Sequence, residues 1–478
     1  MDGNFKTDFS NDKFDRAKRF SRVLMQQGRV QLDADWNEQT DILLYYVRTL
    51  VIDLAGPFWG PGDGFKIAPP PGSDMSLFSV TQGHYYVDGI LSENDADQPY
   101  YLPATSDTSS TASGTTSATK GSRRQRRSTQ ASTSAFLIYL DVWERQVTTL
   151  EDASILEVAL KGPDTTTRAK VMWQVRTWDK LPEGTPTTGT DVKPYVLKYW
   201  PVWLQQWFPP NRGYLKAGIN QDNSVSTDPC ITAPTSQYRG IENQLYRVEI
   251  HDGGSVSSGS GGGSTTGGPT FKWSRENGSV VLPISDLKGN IVTVKNLGRD
   301  DRFGLRKNDW VEIVDDNTVL DSPNPLLQVE TVDYTNSQVI LKTAPSSNIG
   351  DNPLLRRWDQ HAGDSDDPNA ITLNNNGVAI LQEGTWLTLE DGVQIWFQSG
   401  ASATDTPTYR SGDYWLIPAR TALGNIIWPQ DDKGPVALPP HGVQHHYAPL
   451  AVIVPDANGN VTESSITDVR DVINKLTT

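Results

Sequence analysis

Between Gln31 and Pro57 runs QLDADWNEQTDILLYYVRTLVIDLAGP, the one long stretch of this chain that keeps a helical period. Trp36, Leu43, Val47, Leu50 and Leu54 fall on one side of such a helix, and Leu44, Val51 and the Tyr45-Tyr46 pair widen that stripe. Asp33 or Asp35 can cap its start, Glu38 complements the dipole in its first turn, and Gly56-Pro57 stops it. An apolar stripe several turns long needs cover. It either docks on the chain's own core or packs against a partner subunit.

What precedes the helix is sparser. Phe5, Phe9, Phe14 and Phe20 alternate with charged and amide residues, the pattern of an extended arm with apolar anchors. Such arms gain order by lying on a neighbour. Arm and helix are therefore the candidate subunit contacts, through Phe5, Phe9, Phe14, Phe20, Trp36, Leu43, Val47 and Leu50.

After Phe58 the period changes to that of short strands. Forty Gly and 31 Pro break the chain often, and 15 Trp and 16 Tyr supply strand-forming bulk, which predicts a mainly β protein. HYYVDGILSEN turns at Asp88-Gly89, a hairpin dipeptide. FLIYLDVWERQVTTL and AKVMWQVRTW read as strands, as do YRVEIHD and FKWSRENGSVV on either side of a Gly/Ser tract. NDWVEIVDD, PLLQVETVDY and SQVILKTA have the spacing of a small barrel or sandwich.

These segments predict several β-sandwich or barrel-like domains behind an N-terminal arm and one amphipathic helix. The arm and helix occupy 1–57 and a β-rich domain 58–252, with a disordered insertion at 104–134. A flexible Gly/Ser loop takes 253–269, a small barrel-like domain 270–350 and a C-terminal β domain 351–478. The insertion has almost no apolar side chains to offset the entropy of ordering, and its Arg123 to Arg127 core reads as a solvated charge run.

Charge and cysteine content exclude some classes. A formal charge of -15 disfavours non-specific nucleic-acid binding, so no nucleic-acid partner is expected. The lone Cys230 cannot form an intramolecular disulfide or a cysteine-based zinc cluster. No run approaches a membrane span, and the first residues lack the apolar core of a signal peptide.

Three groups bear on chemistry. His441, His445 and His446 could bind a metal only if brought to one side, and Pro439-Pro440 with the strand-like YAPLAVIV argues against that. Hydrogen-bonded histidines at a strand entry are expected, with no metal and no cofactor. Glu144, Glu242 and Glu249 could supply paired carboxylates, but Glu144-Arg145 and Arg275-Glu276 read as salt-bridge partners. The chain has no GxSxG, HExxH or phosphate-cradling loop, and is expected not to be an enzyme. Tyr199, Trp200, Trp203 and Trp207 are too aromatic for an ordinary loop, so they form either a core plug or a ligand or contact surface.

LMQQGRVQLDADWNEQ (24–39) resembles the N-terminal signature of an uncharacterised-domain family encoded beside contractile injection system and phage-tail genes. DVWERQVTTLED, ALKGPDTTTRAKVMWQV, NQLYRVEIHDGG, GDYWLIPARTA and PPHGVQHHYAPLA are similar to its further blocks, in the same order. The resemblance implies a multi-copy structural subunit at the baseplate or cap end of a phage-tail-like particle, with other particle subunits and further copies of itself as partners. It supplies no catalytic residues. It also implies cytoplasmic synthesis and assembly, with release as part of a whole particle. A receptor- or carbohydrate-binding module of the same particle is the alternative, and a polysaccharide-degrading enzyme a more distant one.

Overall fold

A run apolar on both faces must be covered from both sides, and FLIYLDV is such a run. The computed structural model describes residues 4–6, 14–69, 77–101, 135–161, 164–182, 184–220, 237–256, 268–298, 302, 304–316, 318, 323–345, 349–363, 366–400, 406–456 and 460–473. Phe9, Cys230, the 104–134 insertion with Arg123 to Arg127, and residues 257–267 of the Gly/Ser tract lie outside these. Strand Phe136–Val147 carries the apolar run through the centre of a four-stranded sheet. Val142 stands opposite Trp173 of Arg168–Trp178 on one edge and His446 of His446–Ile453 on the other.

A helix covers this sheet where no element is predicted. It is Val192–Trp207, here α2 because the predicted helix Asp33–Ala55 precedes it as α1, and the spacing of Val192, Val196, Trp200 and Trp203 puts all four on its buried face. Trp207 stacks on Tyr139 with ring centroids 4.1 Å apart and planes 8° from parallel. Strands Phe58–Pro61, Gly83–Val87 and Ile90–Asn94 share this first core. The Asp88-Gly89 hairpin forms as its sequence predicts, both residues having positive φ and Val87 pairing with Ile90.

The second core lies between two sheets. Gln244–Ile250 runs between Thr270–Ser274 and Tyr414–Arg420, and Val393–Phe397 between Trp386–Thr388 and Leu215–Ile219. The Gly/Ser tract thus joins two antiparallel neighbours, in the position of an overgrown hairpin loop. The third core fills a closed barrel of Val281–Lys288, Ile291–Val294, Trp310–Val314, Leu327–Asp333, Gln338–Leu341 and Leu354–Trp358.

The protein is mainly β, as predicted. Its cores, however, are nested rather than consecutive. The chain builds most of the first core and then about a third of the second. After the barrel it completes the second core with Trp386–Thr388, Val393–Phe397 and Tyr414–Arg420 and returns to the first with His446–Ile453. Strand pairings cross the divisions expected at 252, 269 and 350. Strand pairing between residues 304 positions apart in sequence, such as His446 with Val142, leaves no local signature.

Candidate interaction surface

The predicted helix is Asp33–Ala55, here α1, whose 23 residues extend about 35 Å. Neither Asp33 nor Asp35 is its N-cap. Leu32 holds that position without a side-chain cap, and both acids sit in the first turn. Gly56 ends the helix, its N–H donating to the Ile52 carbonyl at 2.8 Å.

α1 rests on the body through its less apolar side. Ala34, Glu38 and Ile42 are buried, Ile42 to 1% exposure. Arg48 Nη2 pairs with Glu144 Oε1 at 2.9 Å. Gly89 lies so close beneath the helix that a Cβ there would fall 2.7 Å from Arg48 Cα. The stripe predicted to seek cover faces outward instead. Trp36 is 77% exposed, Leu43 56% and Leu54 78%, with Leu44, Tyr46, Val47 and Leu50 exposed between them. Docking on the chain's own core is therefore excluded for this stripe.

Residues 14–32 form a lead-in that folds back beside α1. Phe14 packs on Tyr45 at 5.9 Å between ring centroids, and the Arg16 guanidinium lies 5.7 Å over the same ring. The Val23 N–H donates to Gln39 Oε1 at 2.9 Å. The chain then turns at Gln26–Arg29, with Gly28 at φ 72°, and enters the helix. Phe20, Leu24, Met25, Val30 and Leu32 are exposed along it. The lead-in and α1 thus both expose large apolar side chains, of the kind that mark binding surfaces when they gather.

The first residues behave differently from the expected arm. Phe5 is half-buried on this chain's own body, and its carbonyl accepts from Asn277 Nδ2 at 3.3 Å. Lys6 N donates to Gln146 Oε1 at 2.6 Å, and Lys6 Nζ lies 3.0 Å from Glu249. A neighbour is not needed to order Phe5, because the junction between the cores supplies a charged slot. Phe14 is likewise half-buried, against Tyr45, so of the described arm phenylalanines only Phe20 is exposed.

That slot is densely ionic. Arg247 Nε lies 2.7 Å from Glu249, and Lys272 Nζ lies 2.7 Å from Glu312 on the barrel wall. Burial opposes charge on Glu249, and Lys6, Arg247 and Lys272 override it, holding its carboxyl well below the usual range. Burial pushes the Lys6 amine down to about 7 against the pull of Glu249. Burial likewise lowers the Arg356 guanidinium beside them.

The remaining predicted residues separate. Trp200 and Trp203 are core, and Tyr199 and Trp207 are partly buried against it, so of the two alternatives these four are the core plug and not a ligand or contact surface. Their helical spacing, hidden by Pro201, is the reason. His445 Nδ1 lies 2.6 Å from Asp141, and His446 Nδ1 lies 2.8 Å from Asp88. The His441 backbone exchanges two hydrogen bonds with Tyr414. The three histidines thus engage three different residues, and among the described residues no group of three or more His, Cys, Asp or Glu could hold a metal.

The carboxylates weighed for chemistry sit in ion pairs: Glu144 with Arg48, Glu242 with Arg302 and Glu249 with Lys6 and Arg247. Arg275 pairs with Glu390 at 2.7 Å rather than with Glu276, which takes Arg302 at 2.6 Å. Among the described residues, no helix is long and apolar enough to cross a membrane.

No curated protein and no solved structure matches this chain. A family of unknown function, DUF6519, matches residues 5–185 and 211–467, and the interval it skips contains α2. With most of its length matched, and both the lead-in and α1 inside the match, the chain belongs to the DUF6519 family.

Proposed function

We propose that this chain is a structural subunit of a phage-tail-like contractile particle, seated in several copies at its baseplate or cap end. The contact would be the outward strip of α1 and its lead-in. One observation carries this reading: α1 buries Ala34, Glu38 and Ile42 and leaves its most apolar side in solvent. Exposure of that much apolar side chain is unfavourable by roughly 25 cal/mol for each Å² left in water, and a neighbour relieves it. The particle setting rests on the sequence blocks that resemble a family encoded with such systems. Assembly in the cytoplasm and release with the particle belong to the same proposal.

The test replaces Leu43→Glu and Leu50→Glu together, since both side chains are exposed and the monomer does not need them. Particles are purified from cells carrying either chain and imaged by electron cryomicroscopy. The double variant is expected to fold normally and to be missing from the particles. Normal occupancy of the variant would remove this face from the assembly.

A further inference from the structure

The outward strip has an internal register. Trp36, Thr40, Leu43, Val47, Leu50 and Leu54 follow steps of four, three, four, three and four residues, and every one is exposed. This is the a/d spacing of a coiled-coil seam, with Thr40, Val47 and Leu54 at a and Trp36, Leu43 and Leu50 at d. The residues buried on the body, Glu38 and Ile42 with half-buried Tyr45 and Arg48, occupy the opposite side of the same wheel. A seam of this kind fits another α-helix, whose side chains fill the holes between its knobs.

We propose that the occupant is α1 of a second copy of this chain, the two helices running parallel about a two-fold axis. The inference rests on the reading of this strip as a subunit contact. Three observations favour a second copy.

The flanking positions Asn37, Leu44, Val51, Gln39, Tyr46 and Asp53 include only one charge, so two identical seams meet without a row of like charges. A β-branched residue at a with leucine at d, as in Val47 with Leu43 and Leu50, favours two strands over three or four.

The third observation is the lead-in, which lies along the Gln39 side of its own helix. In a parallel pair that side faces the partner's Leu44 and Val51. Leu24 and Met25 of each copy would then cover an apolar flank of the other.

Charge agrees with this placement. Residues 14–32 carry Arg16, Lys18, Arg19, Arg22 and Arg29 against Asp15, whereas α1 carries five acids against Arg48. Of these acids Glu38 is buried on the body and Asp35 and Asp41 lie on the body side, so the basic lead-ins are the like charges that a pair has to keep apart. An antiparallel pair would instead bring the two basic lead-ins together.

The experiment uses the purified full chain alone. Sedimentation equilibrium is expected to show a monomer–dimer equilibrium, abolished by Leu43→Glu with Leu50→Glu. Orientation is read from Leu50→Cys in a Cys230→Ser background: on oxidation, a parallel seam gives a covalent dimer. Tyr334→Cys, exposed on the barrel side of the chain, gives none. A dimer with no Leu50→Cys cross-link overturns the parallel arrangement, and a dimer that survives the double substitution overturns the seam. A wild-type chain that is monomeric at every concentration, yet joins particles normally, overturns the pairing and leaves the broader contact reading standing.

Discussion

Lys6 Nζ lies 3.0 Å from the Glu249 carboxylate, an ion pair between residues 243 positions apart. It pins the start of the chain to the sheet that leads into the barrel. The two partners are not equivalent. Glu249 neutralises three cations, whereas Lys6 is one of three that serve Glu249. Glu249→Gln strands buried positive charge and is expected to destabilise by about 3–5 kcal/mol. Lys6→Met leaves Arg247 and Lys272 in place and is expected to cost only about 1–2 kcal/mol. Urea unfolding of both variants checks the order, and equal losses would refute it.

The same amine gives a pH signature. Its value falls from 10.5 to about 7 on folding, so between those limits the unfolded chain binds the extra proton. Stability contributed by this group therefore rises as pH climbs from 7 toward 10.5. Wild type should gain on Lys6→Met across that interval in urea midpoints. A constant difference would show that the amine titrates normally.

Glu390 has the opposite slope. Burial pushes its carboxyl from 4.5 up to about 7, although Arg275 pulls it down. The folded protein holds this proton where the unfolded chain has released it. Its contribution to stability therefore declines as pH rises from 4.5 through 7. Glu390→Gln is expected to flatten that segment of the stability–pH curve, and an unchanged curve counts against the shift.

Neighbouring residues of α1 should differ sharply. Ile42 is 1% exposed, and its truncation to Ala is expected to destabilise by about 2–4 kcal/mol. Leu43→Ala, on the outward strip, should stay within about 0.5 kcal/mol in the isolated chain. Thermal unfolding at concentrations low enough to keep the chain monomeric decides between them, and a reversed order would mean the helix is docked on its other face.

Gly89 sets how closely α1 can approach the body. Its φ of 75° and its position against Arg48 both exclude a side chain. Gly89→Ala is expected to cost at least about 1–2 kcal/mol from the backbone alone. Hydrogen exchange in α1 should accelerate in this variant more than in the barrel strands. Uniform acceleration would mean that the helix is not a separately held element.

Sequence by itself determined the local elements. The Asp88-Gly89 turn, the long helix and its end at Gly56, and three of the six barrel strands follow from period and turn chemistry, which act within a few residues. It also marked Trp36, Leu43, Val47 and Leu50 as a stripe in need of cover. It missed α2, because Pro201 and the density of aromatics masked a period that Val196, Trp200 and Trp203 do obey.

Only the tertiary structure decided which side of α1 is covered. Helical period measures how apolar a face is, whereas docking depends on fit. Ile42 and Arg48 fit the body at Glu144 and the bare surface of Gly89, and the greasier face does not. The slot for Lys6 and the return of His446–Ile453 to Phe136–Val147 were equally out of reach, since long-range pairing is set by complementary surfaces that distant segments form only after folding.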